Sequence, residues 1–206
     1  EATQRKGGST TYIWREHYPI ATYLVSIAAA VYAHIQDTYE APDGTRMPIS
    51  YYVFPEDSSK ALVDFKNTKR FLAFLGTTVC EYPFLREKFG YAEVEGDMTM
   101  ENQTICSIQN TLLSGDRKHE LTIFHETAHQ WWGDLITTAD WHHTWLNEGF
   151  ASYAEALYLE HTEGRARYQR HMNRMMEVPV GMYAKPVIGL SDTAFWDSFG
   201  PSVYYK

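Results

Sequence analysis

Two histidines four residues apart, with a glutamate beside the first, constrain this chain more than any other feature. The run is His125-Glu126-Thr127-Ala128-His129. It lies in a stretch, residues 116–135, whose apolar side is formed by Leu121, Phe124, Ala128 and Trp132, a pattern that predicts a largely buried helix. Four residues of helix turn through about 400°, so the two imidazoles stack on one face, one turn apart. Both can then reach a single metal ion at about 2.0–2.1 Å. Glu126 falls on the adjacent flank, where it can take a proton from water without being a ligand. A buried histidine pair needs polar partners, and a shared ion supplies one.

A catalytic site of this kind takes a third protein ligand, a histidine or a carboxylate. Glu148 follows His129 in the run Trp145-Leu146-Asn147-Glu148-Gly149-Phe150-Ala151 and opens a second helical pattern over residues 144–161. Gly133, Asp134 and Asp140 supply turn residues between the two, so the helices can lie antiparallel and share an ion. His142, His143 and Glu155 are the alternative third ligands. Glu155 could instead orient a residue that touches the metal.

Residues 23–39 are apolar and fit a helix or a strand. The turn signal Pro42-Asp43-Gly44 follows, then a strand over residues 49–54 stopped by Pro55, which predicts a hairpin. Asp57 or Ser58 is expected to cap a helix running to Leu75 and closed by Gly76, with a short helical turn over residues 84–89 ended by Gly90. One or two strands are expected within residues 91–108, and helices over residues 165–176 and near the C-terminus. Strands come first and helices follow, which predicts an α+β fold.

Lys plus Arg number 18 against 26 Asp plus Glu, a net charge of −8. An acidic chain lacks the basic footprint that binding to nucleic acid or an anionic membrane requires. The longest apolar run, residues 23–33, is interrupted by Ser26 and is too short to span a bilayer. With two cysteines, Cys80 and Cys106, neither a disulfide scaffold nor a four-cysteine zinc site is possible.

The settings Phe-His-Glu-Thr-Ala-His-Gln-Trp-Trp-Gly-Asp and Trp-Leu-Asn-Glu-Gly-Phe-Ala closely resemble those of the M1 zinc aminopeptidases, the gluzincin group. Met100-Glu101-Asn102 resembles the end of that family's Gly-x-Met-Glu-Asn exopeptidase motif, with Met98 and Thr99 where the family has Gly-x. Tyr204-Tyr205-Lys206 resembles the start of its Tyr-x-Lys-Gly segment. The resemblance implies a thermolysin-like domain over residues 23–206, an N-terminal mixed sheet followed by a mainly helical half, with its C-terminal end cut. Residues 1–22 would be the remnant of an N-terminal β domain or a linker, and the flanking domains of the parent chain would be missing. It also implies one Zn²⁺ per chain on His125, His129 and Glu148, with Glu126 as general base. Glu101, Asn102 and Met100 would bind peptide substrates with a free N-terminus, and Tyr204 would donate to the oxyanion.

Overall fold

A computed structural model of the chain describes residues 2–96 and 99–176. Strands β1 (Ala2–Lys6) and β2 (Ser9–Ile13) form a separate antiparallel hairpin. Gly7 and Gly8 turn it, both with positive φ, as a tight two-residue turn requires. Past the hairpin, Trp14 meets Tyr52 edge to face and His17 bonds Glu87 at 2.7 Å.

The main sheet runs β3 (Ala33–Glu40), β4 (Arg46–Val53), β5 (Phe89–Val94), β6 (Cys106–Gln109) in that order. The first pair is antiparallel and the other two are parallel, so the sheet is mixed, as expected. The β3–β4 hairpin turns at Pro42-Asp43-Gly44, where Thr45 N–H donates to Asp43 Oδ1 at 2.8 Å. Its first strand takes only the end of the apolar stretch. Ile27 and Val31, earlier in that stretch, are 93% and 84% exposed.

Among the described residues, α1 (Ser58–Asp64) and α2 (Thr68–Thr78) lie between β4 and β5, and α3 (Glu120–Ala128), α4 (Trp145–Glu163) and α5 (Arg165–Met176) follow β6. Met47, Ile49, Tyr51 and Val53 of β4 are buried together with Phe65, Phe71, Leu72 and Leu75. Phe124 of α3 stacks on Tyr158 of α4 at 4.5 Å and meets Phe71 of α2 edge to face at 5.3 Å. Such buried ring pairs add roughly 0.5–1.5 kcal/mol each beyond their burial, and these two join the three helices that carry or support the site.

Several local expectations are corrected. The helix expected from Ser58 to Leu75 is broken after Asp64. Asp64 is buried and its carboxylate accepts from Gly115 N and Arg117 N at 2.8 and 2.7 Å, while Thr68 Oγ1 donates to Phe65 O at 2.7 Å. Gly76 does not close α2, which continues to Thr78. The helical turn over residues 84–89 is a single Glu87 N to Phe84 O bond, and Phe89 opens β5. The helix expected over residues 116–135 shrinks to α3. Its start is held back by the turn that Asp64 captures, and beyond its cap at His129 the chain turns, with Gly133 at a φ of 129°. Among the described residues Cys80 and Cys106 are free thiols, exposed and buried respectively. The expected C-terminal helix, Met98 and Tyr204 lie outside the described residues.

Candidate metal centre

His125 lies in the last turn of α3 and His129 caps it, with His129 N–H still donating to His125 O at 3.2 Å. The i, i+4 geometry therefore persists to the cap, and the two rings stand 4.6 Å apart. Glu148 lies in the first turn of α4, where the helix dipole favours a carboxylate. Gly133 packs against the His129 ring. A Cβ there would sit 3.3 Å from His129 Nδ1 and adopt a φ of 129°, so a side chain is disfavoured twice over.

Three donors converge. His125 Nε2 is 3.2 Å from Glu148 Oε2, His129 Nε2 is 3.4 Å from the same oxygen, and the two Nε2 atoms are 3.0 Å apart. A tetrahedral ion with bonds of about 2.0–2.1 Å has donor–donor edges of about 3.3–3.4 Å, so the spacing fits zinc. The far nitrogens are also engaged: His125 Nδ1 meets Glu155 Oε1 and His129 Nδ1 meets Trp132 O, both at 2.8 Å. That pattern turns both Nε2 atoms toward the shared point. Neither His142 nor His143 belongs to this group; His142 Nδ1 lies 3.1 Å from Asp140 Oδ1.

The electrostatics favour positive charge at this point. Burial opposes protonation of His125, yet Glu148 and Glu155 outweigh it and hold the imidazole well above its ordinary value. Against the same burial, Glu148 and Glu101 hold His129 up to about 9. Burial works against ionised Glu148 as well, but His129 and His125 keep it well below the usual carboxylate range. Glu126 is itself buried. That burial, reinforced by Glu101 and Glu148 against the two histidines, pushes it up to about 7.

Glu101 comes to the same place. Its carboxylate, that of Glu126 and a ring nitrogen of His129 lie within 4.8 Å of one another. Met100 pairs with Ser107 through two backbone bonds of 2.9 and 2.8 Å, which places the residue before Glu101 at a strand edge. Asn102 is turned inward: its Nδ2 donates to Leu24 O at 3.0 Å and its Oδ1 accepts from Ser107 Oγ at 2.7 Å. Two residues with no role assigned from the sequence also reach this region. Gln130 ties the Glu101 loop to the segment after His129, and Tyr23 Oη donates to Gly133 O while accepting from Asn147. Their partners are up to 124 positions distant, so no local spacing reveals them.

An α+β fold with two helices presenting His, His and Glu to one point is the architecture of a thermolysin-like zinc-binding domain. The chain belongs to peptidase family M1: residues 64–205 match the Peptidase family M1 domain. It is 32% identical over 169 residues to leucine aminopeptidase 2 of Yarrowia lipolytica, covering 80% of this chain and 24% of that protein. With aminopeptidase B of Mus musculus it shares 31% over 189 residues, covering 83% of this chain and 27% of that protein. The chain thus spans about a quarter of the length of these relatives. Among solved structures, the M1 zinc metallopeptidase from Deinococcus radiodurans superimposes with a TM-score of 0.78 at 23% identity, covering all of this chain and 45% of that one. Aminopeptidase A of Legionella pneumophila gives 0.71 at 20% identity, over 84% of this chain and 21% of that one. Zinc is the cofactor that the family and the donor set imply. Among the described residues no helix is long and apolar enough to cross a membrane.

Proposed function

We propose that this chain is the zinc-binding part of an aminopeptidase that removes residues one at a time from the free N-terminus of peptides. The observation that carries this reading is the Glu101 carboxylate beside Glu126 and His129. An anion at the end of the cleft pairs with the α-ammonium of a peptide and fixes where its chain begins. His125, His129 and Glu148 would hold the ion, three protein donors being the number a catalytic zinc site uses. When bound, zinc polarises the scissile carbonyl and makes water a better nucleophile at neutral pH. Glu126 accepts the proton of the attacking water and passes it to the leaving amine. The strand edge before Glu101, where both backbone groups of Met100 are bonded to Ser107, borders the extended substrate. Tyr204 donates its phenol to the developing oxyanion. Asn102 shapes the pocket from behind by holding the Glu101 loop to Leu24 and Ser107.

We read residues 1–22 as the end of a preceding β domain or linker and residues 23–206 as the thermolysin-like domain. The parent enzyme would then carry flanking domains on both sides, which the threefold to fourfold greater length of the relatives supports. The test compares a leucyl anilide with its N-acetylated twin, in a protein carrying this segment with its flanking domains. Turnover of the free-amine substrate only, with Glu126→Gln lowering kcat by at least about 10³-fold while zinc stays bound, is expected. Equal turnover of the blocked substrate would replace this reading with a thermolysin-type endopeptidase.

A further inference from the structure

Gln130 has no exposed surface and directly follows the metal ligand His129. A buried amide is costly unless its hydrogen-bonding capacity is met, and here both ends are engaged. Its Oε1 accepts from Thr104 N at 2.9 Å and from Tyr82 Oη at 3.3 Å. Its Nε2 donates to Glu101 O at 3.2 Å and points to Cys106 Sγ at 3.6 Å. One side chain therefore grips the first and last residues of the buried loop from Glu101 to Thr104. Thr104 has a φ of 68°, a conformation a threonine adopts only when its surroundings hold it, and its N–H is one of the groups that Gln130 takes.

The two other side-chain ties of this loop run elsewhere: Asn102 to Leu24 and Ser107, Gln103 to Pro19. Gln130 is the tie that leads to the metal ligands. Its own backbone is fixed by the turn that fixes His129, through Gln130 N to Thr127 O, Leu135 N to Gln130 O and Asp134 N to His129 O. Gln130 thus joins the Glu101 loop directly to the segment that carries His129 and, with the Cys106 Sγ contact to Glu126 O, helps set the distance from Glu101 to the metal donors. That distance matters because one residue of extended peptide spans only about 3.3–3.6 Å. A carboxylate that slips by about 1 Å presents the wrong part of the chain to the metal, and misplacement on that scale costs about 10²-fold in rate.

We infer that Gln130 is a positioning residue for exopeptidase register: it holds the loop that carries Glu101 in place beside the metal ligands. This rests on the aminopeptidase reading above. The experiment uses the zinc-loaded protein with its flanking domains and compares Gln130→Asn, which is one methylene too short, with Gln130→Glu, which keeps the length and the acceptor but loses the amide donor to Glu101 O and Cys106 Sγ. Glu101→Gln is the control for the anchor itself. Each is scored for zinc content, for inhibition by free leucine, and for the ratio of kcat/KM between the leucyl anilide and its N-acetylated twin.

The expected result is full zinc content with a drop of about 10²-fold in kcat for Gln130→Asn. With it come weaker inhibition by leucine, a free-to-blocked ratio at least tenfold lower, and release of intact dipeptide from an alanyl-leucyl anilide. Gln130→Glu falls between it and the wild type. A Gln130→Asn protein that turns over slowly with an unchanged ratio and unchanged leucine inhibition would overturn the inference, since a merely structural residue behaves that way. If Gln130→Asn does not fold, the same readouts on Gln130→Glu decide. The two readings fail separately: an unchanged ratio in Glu101→Gln removes the anchor reading, whereas loss of the ratio there but not in the Gln130 variants removes only the register inference.

Discussion

Glu155 reaches the metal donors only through an imidazole. Its Oε1 lies 2.8 Å from His125 Nδ1, and its Oε2 lies 3.5 Å from His171 Nε2. A carboxylate in that place fixes the ring and makes its far nitrogen a better donor, and removal of such a partner costs about 10–100-fold in metal affinity. Glu155→Gln is therefore expected to raise the zinc Kd by about that factor, measured by competition with a chelator of known affinity. An unchanged Kd would show that packing, not the carboxylate, orients His125. A second carboxylate gives a pH-dependent prediction away from the metal. Glu93 accepts from Phe54 N at 2.6 Å, yet burial, aided by Asp57 and Glu56 beside it, pushes it from its ordinary 4.5 up to about 7. A raised carboxyl makes the folded state bind more protons than the unfolded one, so stability is lost as pH rises from about 4.5 through about 7. Glu93→Gln should flatten that decline, with a Tm at pH 8 about 2–4 °C above the wild type and little difference at pH 5. Parallel pH profiles for the two proteins would show that Glu93 titrates normally.

Gly90 decides whether the sheet can close around these side chains. It pairs with Ser50 across the parallel β4–β5 ladder, and a Cβ there would fall 1.8 Å from Ser50 O. The obstacle is backbone on both sides, so neither strand can give way without breaking register. Gly90→Ala should cost at least about 3 kcal/mol, roughly 6–12 °C in Tm, read by thermal denaturation; a loss under about 2 °C would mean that the strands are free to separate. That glycine was not legible in the sequence, because its role depends on a strand some 40 positions away. The same divide separates the expectations that matched the structure from those that did not. Helices α4 and α5 were legible because a helical pattern is local; Gly164, with a φ of 87°, ends α4. The break after Asp64 was not legible: its causes, Gly115 N and Arg117 N, lie 51 and 53 positions on. The metal group was legible only in part: helical spacing pairs His125 with His129, but His142, His143 and Glu155 stayed open as the third donor, and it is the fold that brings Glu148 to the pair. Gln130 was not, since its importance comes from the partners it finds at Glu101 and Thr104.

The metal donors come from two helices that otherwise meet through packing, His125 and His129 at the end of α3 and Glu148 at the start of α4. An ion bound there acts as a crosslink across the helical half, and Phe124 on Tyr158 forms the apolar part of the same junction. The donors themselves are polar groups drawn together in a buried place, an arrangement that costs free energy unless positive charge answers the carboxylates. Anything that binds the folded chain and not the unfolded one stabilises it by mass action, by about 2.7 kcal/mol when the free ligand stands at 100 times its Kd. For a chain of this size that corresponds to a rise of roughly 5–11 °C in Tm. The chain is therefore expected to bind one zinc, and dialysis against a strong chelator should lower its Tm by that amount, with zinc restoring it and magnesium failing to. Magnesium prefers six oxygen donors and suits a site of two imidazoles and one carboxylate poorly. Because all three ligands lie within residues 125–148, this stabilisation should not need Tyr204, and Tyr204→Phe should keep the full Tm shift while losing turnover. A Tm indifferent to chelator and to zinc, in a chain shown to be folded, would mean that the His-His-Glu group is held together by its own hydrogen bonds and carries no ion.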